Sequence, residues 1–388
     1  MNSFTFFNPT KIIFGKNQIC ALKQEINPTD KVLLAYGGGS IKTNGVYEKI
    51  TQTLSEYKVF EFSGIEANPT YETLLKAVEL VRKEGINFII AAGGGSVIDG
   101  VKFIAAAARY PSELDPWIIL TGGPKPLDAI PFGTILTLPA TGSEMNSGSV
   151  ITKKATKDKM FFTSPLVFPK FSILDPTVTF SLPSQQIANG IADSFIHVLE
   201  QYLTYPVNAE IQDRFAESIL LTLLKEGPLT LQNPHDFNSR ANFMWAATLA
   251  LNGLIGAGVP QDWTTHMIGH ELTVLHGIDH GRTLAIIMPA TLKILTHKKR
   301  EKLLQYAERV WNLKSGSEDE RISKAIECTE LFFQSLNIDT RLNKYGITTS
   351  DIDPILKNLE RHGMINLGET GEVTLQISRK ILEAATPL

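Results

Sequence analysis

The sequence predicts an α/β half built on a parallel sheet, followed by an all-helical half. Three observations carry this expectation. In roughly the first 180 residues, short apolar runs end in glycine- or threonine-rich loops and alternate with helical spacing. Near Pro183 that alternation stops, and long helical periods replace it. The chain is also 388 residues long, whereas single cores stop growing beyond about 250–300 residues, so two domains are expected.

The strands come first. Residues 31–36 (KVLLAY) run into Gly37-Gly38-Gly39-Ser40, residues 88–92 (FIIAA) into Gly93-Gly94-Gly95-Ser96, and residues 134–138 (TILTL) into Pro139-Ala140-Thr141-Gly142-Ser143. Between the first two, residues 71–84 place Leu74, Leu75, Val78 and Val81 on one helical face. Strand, turn, helix, strand is the pattern of a parallel sheet covered by helices. After residues 175–183, which contain two prolines and no strong period, residues 209–225 and 239–254 read as helices. There is no repeat of solenoid length and no low-complexity segment.

Composition narrows the functional classes. Hydrophobic residues make up 43% and charged residues 20%, close to the globular average. A net charge of −3 gives no general attraction to a phosphate backbone, so nucleic acid is not an expected partner. The basic run at residues 297–300 (HKKR) reads as a solvated helix end. Two cysteines, Cys20 and Cys328, form neither a disulfide framework nor a thiolate metal cage, and point to free thiols in a reducing compartment. The N-terminal MNSFTFF lacks the charged region and long apolar run of a signal peptide. No apolar stretch reaches the roughly 18–20 residues of a membrane helix. A soluble, cytoplasmic protein with no membrane partner is expected, and a homodimer.

The loops carry the first chemistry. Gly93, Gly94, Gly95 and Ser96 stand between a strand and a helix. There, backbone N–H groups and the helix dipole suit a pyrophosphate, although a tight turn without a ligand has the same pattern. It is not the G-x-G-x-x-G fingerprint. Gly37, Gly38, Gly39 and Ser40 also close a strand. The place where a carboxylate would bind a ribose 2′-hydroxyl holds glycine and serine, with Lys42 nearby, which removes repulsion toward a 2′-phosphate. Thr137, Thr141, Ser143 and Glu144 form a third polar loop that either lines a cofactor cleft or caps a following helix.

The histidines carry the second. Asp193 and His197 are four residues apart on an apolar helix and share a face, as a metal pair or as an ordinary ion pair. Residues 261–281 hold four of the chain's eight histidines, namely His266, His270, His276 and His280. That density suits metal binding or acid–base work better than core packing, and it is not the zinc-protease H-E-x-x-H. Three imidazoles and one carboxylate suit Zn²⁺ or Fe²⁺. Asp262, Glu271 and Asp279 are candidates to orient a ligating imidazole. A divalent ion with an open position polarises a carbonyl or lowers an alcohol's pKa.

Taken together, these residues resemble the iron-containing (group III) alcohol dehydrogenases, and within them the NADPH-dependent butanol dehydrogenase and aldehyde reductase branch. The resemblance runs along essentially the whole chain. It includes residues 8–15 (NPTKIIFG), 93–99 (GGGSVID), 139–144 (PATGSE), 192–197 (ADSFIH) and the histidine-rich segment 266–281. It implies a dinucleotide-binding α/β domain at residues 1–180 and an all-helical metal-binding domain at residues 181–388, in a dehydroquinate synthase-like architecture with cofactor and metal in the cleft between them. By motif match, Asp193, His197, His266 and His280 hold one divalent metal (Fe²⁺ or Zn²⁺). His270 stands near the nicotinamide and the substrate as the catalytic candidate. Gly94, Gly95 and Ser96 match the pyrophosphate site, and Asn68, Asp99, Thr137, Thr141 and Lys159 match residues around the cofactor, with Ser143 beside them. NAD-preferring members carry aspartate where this chain has Gly37, so the resemblance implies NADP(H). The implied function is interconversion of small aldehydes and primary alcohols, acting as an aldehyde reductase. The alternative is a dehydroquinate synthase-like lyase using NAD and a metal. Against it, residues 261–280 contain no lysine or arginine for a phosphorylated acid.

Overall fold

The computed structural model describes residues 1–386. The chain forms two compact units. One comprises Phe7–Leu182 with His235–Met244; the other comprises Met1–Phe6, Pro183–Pro234 and the chain from Trp245 onward. The first six residues join the helical unit, where the Asn2 N–H donates to the Gly258 carbonyl at 2.9 Å.

The first unit holds strands β1 (Lys11–Phe14), β2 (Lys31–Tyr36), β3 (Lys58–Phe62), β4 (Phe88–Gly94), β5 (Phe132–Leu138), β6 (Gly148–Lys153), β7 (Asp158–Thr163) and β8 (Phe171–Leu174). Six of them form one sheet in the order β1-β8-β5-β4-β2-β3, with every pairing parallel. Parallel strands need crossovers, which cover the faces with helices and leave the strands buried on both sides. The side chains accordingly alternate between two cores. Leu33, Ala35, Ile89 and Ala91 enter one, packed with the helices Tyr71–Glu84 and Gly95–Ala108. Val32, Leu34, Tyr36, Phe88, Ile90 and Ala92 enter the other, with the helix Val46–Thr53. The period of two along each strand is the reason. Strands β6 and β7 form a separate antiparallel hairpin.

Strand order also locates a crevice. From β2 the chain moves outward to β3, whereas from β4 it moves the other way to β5. The carboxyl ends of β2 and β4 therefore flank a topological switch point, where open α/β sheets leave room for a ligand. The two GGGS segments lie at those strand ends, the first after β2 and the second beginning in the last two residues of β4.

The second unit is helical. Its long elements are Ser184–Tyr202, Glu210–Gln232, Thr264–His276, His280–Ile294, Arg300–Arg309, Glu318–Ser335, Ile352–Arg361 and Leu375–Ala384. The only departure among the described residues is a two-residue antiparallel pair, Asn366–Leu367 with Val373–Thr374. Gly277 ends the helix Thr264–His276 in the left-handed conformation (φ 69°), and the next helix begins at His280. Ile268, Leu272, Ile286, Ile287 and Leu359 share one core beneath these helices.

The basic run at residues 297–300 departs from expectation. Lys299 is buried, with Nζ 2.8 Å from Asp262 Oδ2 and 3.0 Å from Glu369 Oε2. Burial opposes its charge, but the two carboxylates more than offset that and hold its pKa above the ordinary lysine value. Partners distant in sequence make this lysine internal, which local charge patterning cannot reveal.

The helix His280–Ile294 packs against Ser184–Tyr202 at closest range through Gly281. A Cβ there would lie 2.3 Å from the Asn189 carbonyl oxygen, which is backbone and cannot swing away. Gly281→Ala should therefore cost about 1–3 kcal/mol by forcing the helices apart. Urea unfolding checks this, and an unchanged midpoint would show that the helices part freely.

Candidate metal centre and cofactor loops

The helix Ser184–Tyr202 places Asp193, His197 and Glu200 at spacings of four and three, on one face. All three are buried at 4% exposure or less. The helix Thr264–His276 brings His266 and His270, and the next helix brings His280 as its first residue.

Three imidazoles converge on one carboxylate oxygen. From Asp193 Oδ1, the Nε2 atoms of His197, His266 and His280 lie at 3.5, 3.7 and 3.8 Å. These distances are too long for good hydrogen bonds. They approach the spacing of about 3.3–3.4 Å between N and O ligands placed tetrahedrally at 2.0–2.1 Å from an ion. Asp193 Oδ1 and His266 Nε2 are buried and have no hydrogen-bond partner. Such atoms are costly unless something satisfies them. Asp193, His266 and His280 offer ligand atoms that all lie within 4.8 Å of one another. His197 adjoins them, with its ring stacked on that of His266 at 4.6 Å. The donor set fits a divalent ion of the zinc or ferrous type.

His270 is also drawn in, with its ring 5.2 Å from that of His280 and 6.4 Å from that of His266. His276 is not, because it lies exposed in the last turn of its helix. Trp263, just before that helix, packs edge-on against His266 at 5.2 Å and His197 at 6.1 Å.

The orienting acceptor is a residue that sequence reasoning missed. Glu200 Oε2 makes a short contact with His266 Nδ1, and Glu200 Oε1 accepts the Thr265 N–H at 2.6 Å. With the Nδ1 proton held toward Glu200, loss of the proton on Nε2 leaves that lone pair facing Asp193 and the other imidazoles. The signal was present, since Glu200 continues the Asp193, His197 face by one more step. The three candidates named from sequence serve elsewhere. Asp262 accepts the Thr264 N–H at 3.0 Å and pairs with Lys299. Glu271 meets His362 Nδ1 at 2.6 Å. Asp279 accepts from the side chains of Gln185 and Asn189. Each lies close in sequence to a histidine, but its direction is set by other partners.

The charges follow this geometry. Burial opposes protonation of His266, yet the negative charges of Glu200 and Asp193 and the Glu200 hydrogen bond raise its pKa to about 9. Burial alone would raise Asp193, but the charges of His197, His280 and His266 pull its carboxyl well below the ordinary range. The metal-free cluster therefore holds a proton on His266 at neutral pH.

In the α/β unit, no side chain caps the N-terminus of the helix Gly95–Ala108, so its first N–H groups are left for another acceptor. The loop itself is tightly built. A Cβ on Gly94 would lie 2.9 Å from Leu138 Cβ, and one on Gly95 would lie 2.4 Å from Thr141 Oγ1. Packing thus accounts for these two glycines, and the same packing brings Thr141 against the loop. Ser96, Asn68 and Lys159 come together: the Asn68 N–H donates to Ser96 Oγ at 3.3 Å, and Lys159 Nζ donates to Asn68 Oδ1 at 3.0 Å. Asn68 takes a left-handed backbone (φ 56°) to do so. A cation, a hydroxyl and uncapped N–H groups beside one loop fit a phosphate. In the other loop, Gly38 faces open space and Gly39 is left-handed (φ 99°), with Gly37 before them and exposed Ser40 after them.

Thr137 lies near the end of β5 and is buried. Ser143 caps no helix: a 3₁₀ turn, Ser143–Met145, and then strand β6 follow it. Its buried hydroxyl donates to Asp99 Oδ1 at 2.5 Å and accepts from Lys102 Nζ at 2.8 Å. Asp99 Oδ2 accepts the Val150 N–H at 2.9 Å. Asp99 and Ser143 thus tie the 141–150 segment to the glycine-loop helix.

Comparison with known proteins places the chain in a family. The family model described as iron-containing alcohol dehydrogenase matches residues 9–176, and that described as Fe-containing alcohol dehydrogenase family, C-terminal, matches residues 187–366. The chain belongs to the iron-containing alcohol dehydrogenase family. It is 56% identical over 386 residues to the NADPH-dependent aldehyde reductase YqhD of Escherichia coli, covering 99% of this chain and 100% of that one. The crystal structure of E. coli K-12 YqhD matches with a TM-score of 0.98 over 99% of each chain. That of NADH-dependent butanol dehydrogenase A from Thermotoga maritima matches at 36% identity with a TM-score of 0.95, over 100% of this chain and 99% of that one.

Two outcomes are expected. Glu200→Ala should weaken divalent-metal binding about 10–100-fold, because the His266 ring loses its anchor. Isothermal titration of metal-free protein with Zn²⁺ reads this, and an unchanged affinity would remove Glu200 from the site. In the parent, metal must displace the His266 proton. Affinity should therefore rise roughly tenfold per pH unit toward pH 9 and flatten above it. A pH-independent affinity would mean that His266 is already neutral.

Proposed function

We propose that the protein reduces small aldehydes to primary alcohols with NADPH, using one divalent metal held by Asp193, His197, His266 and His280. The convergence of three Nε2 atoms on one buried carboxylate oxygen carries this reading. Its cofactor and direction are drawn from the likeness to the E. coli NADPH-dependent aldehyde reductase. A dehydroquinate synthase-like lyase is not favoured, because both halves of the chain match alcohol dehydrogenase family models. Among the described residues no helix is long and apolar enough to cross a membrane. A cytoplasmic homodimer belongs to the same reading.

When bound, the metal would supply Lewis-acid polarisation of the carbonyl and the nicotinamide would supply hydride. The chain's own residues do the rest. Asp193 contributes the negative charge of the donor set. Glu200 keeps His266 in one tautomer and one orientation. Ser96, Asn68 and Lys159 are placed to hold the cofactor's phosphates, with Gly94 and Gly95 allowing the backbone to come close. Reduction of a carbonyl takes up one hydride and one proton. His270 is the group that delivers the proton to the product oxygen, since it sits among the imidazoles on the turn after His266. Iron and zinc share this ligand chemistry, and zinc tends to bind it more tightly than ferrous iron.

Oxidation of NADPH and of NADH, followed over a panel of aldehydes, tests the function. Activity should disappear on chelation, return with a divalent ion, and be lost with the metal in Asp193→Ala and His266→Ala. Full metal occupancy in both variants would remove the ligand assignment.

The role of His270 is tested separately. His270→Ala should retain metal and bind NADPH, but turn over about 10²–10⁴-fold more slowly, the usual contribution of a positioned proton donor. Loss of metal to the extent seen in His266→Ala would make it a ligand instead. Unchanged turnover across a pH profile would make it neither.

A further inference from the structure

Four side chains that the reading above does not use gather behind the first glycine loop. Strand β3 lies beside β2, and their register pairs Leu34 with Glu61. The loop itself carries no carboxylate, but the neighbouring strand brings one to Tyr36, the residue just before it. Glu61 Oε2 accepts the Tyr36 hydroxyl at 2.9 Å, and Glu61 Oε1 accepts a short hydrogen bond from Tyr47. Those hydrogen bonds keep its carboxyl below the ordinary glutamate range.

Lys42 stands over this group. Its Nζ lies 4.5 Å from the centre of the Tyr47 ring and 5.4 Å from that of Tyr36. Its backbone N–H is tied to the Gly39 carbonyl at 2.9 Å, so its main chain is held to the loop. Its distance to Glu61 Oε2 is 3.6 Å, with the side chains 47% and 41% exposed. That separation exceeds a charge-assisted hydrogen bond, and exposed pairs of this kind are weak. The Tyr36 hydroxyl takes one hydrogen bond from the ammonium and the two ring faces hold it near the loop, with two of its three N–H groups still to be satisfied. Glu61 has two phenols to satisfy it, and Lys42 adds a smaller contribution.

We infer that Lys42 is the residue that recognises a 2′-phosphate on the nicotinamide cofactor, and that Glu61 limits this recognition by competing for the same ammonium. This rests on the NADP(H) reading above. A ribose 2′-phosphate carries close to two negative charges and three acceptor oxygens, whereas the hydroxyl of NAD(H) carries no charge. Only the phosphate can outbid a carboxylate for Lys42. Once it does, Glu61 remains charged nearby and repels it. The pair thus sets the ratio of NADPH to NADH affinity from both sides.

Equilibrium titrations of the metal-loaded protein with NADPH and with NADH, followed by nicotinamide fluorescence, test this without turnover. In Lys42→Ala the ratio of NADPH to NADH affinity should fall about tenfold or more, the scale of one lost charge-assisted contact. Lys42→Arg should retain most of it. Glu61→Gln should raise the ratio, and added salt should narrow the difference between it and the parent. An unchanged ratio in Lys42→Ala overturns the recognition role. A lower ratio in Glu61→Gln overturns the competition, because it would mean that Glu61 holds Lys42 in place. A parent protein with no preference for NADPH would instead defeat the cofactor reading itself.

Discussion

The helical unit is organised around the Glu200 carboxylate. One oxygen accepts the Thr265 N–H and the other meets His266 Nδ1. The first contact supplies negative charge and an acceptor at the start of the helix Thr264–His276, where unsatisfied N–H groups and the positive end of the dipole favour both. The second turns the imidazole so that Nε2 faces Asp193. A single side chain thus joins two helices and orients one ring. Burying that carboxylate is costly in isolation, and burial does raise its pKa, against the opposing charge of His266. Its neighbours make the arrangement tenable. Lys299 lies buried between Asp262 and Glu369, so the segment just before the same helix is also anchored by charge.

Close approach of helices is the second requirement. His280 is presented by a helix whose second residue is Gly281, and that glycine lies directly on the Asn189 backbone. Asp193 is four residues further along the same partner helix. The approach of the two helices at Gly281 sets how near the His280 imidazole comes to the Asp193 carboxylate, 3.8 Å here.

The α/β unit solves a different problem. Its sheet sends β2 and β4 in opposite directions of connectivity, which leaves the ends of these strands uncovered. The glycines at the end of β4 serve packing first, because Val97, Leu138 and Thr141 fill the space a side chain would take. Close packing and close approach of a phosphate make the same demand on the backbone. A glycine loop therefore cannot by itself distinguish them, and the company of Ser96, Asn68 and Lys159 is what adds weight to the phosphate reading.

Much of this was legible in the linear chain because the signals are local. Periodicity located β2 at residues 31–36 and the helix at residues 71–84, matching the elements found. Helical spacing put Asp193 and His197 on one face, and the density of histidines at residues 266–280 marked a chemical site. What tertiary structure decided depends on partners far apart in sequence. Glu200 meets His266 across 66 positions and Glu61 faces Lys42 only because β3 lies beside β2. Lys299 turned from a surface charge into a buried one, and Ser143, which the sequence left between lining a cofactor cleft and capping a helix, is tied to Asp99. Spacing along the chain determines which face of a helix or strand a residue occupies. Only packing determines what that face meets, and for a buried charge its partner sets its protonation, its direction and its use.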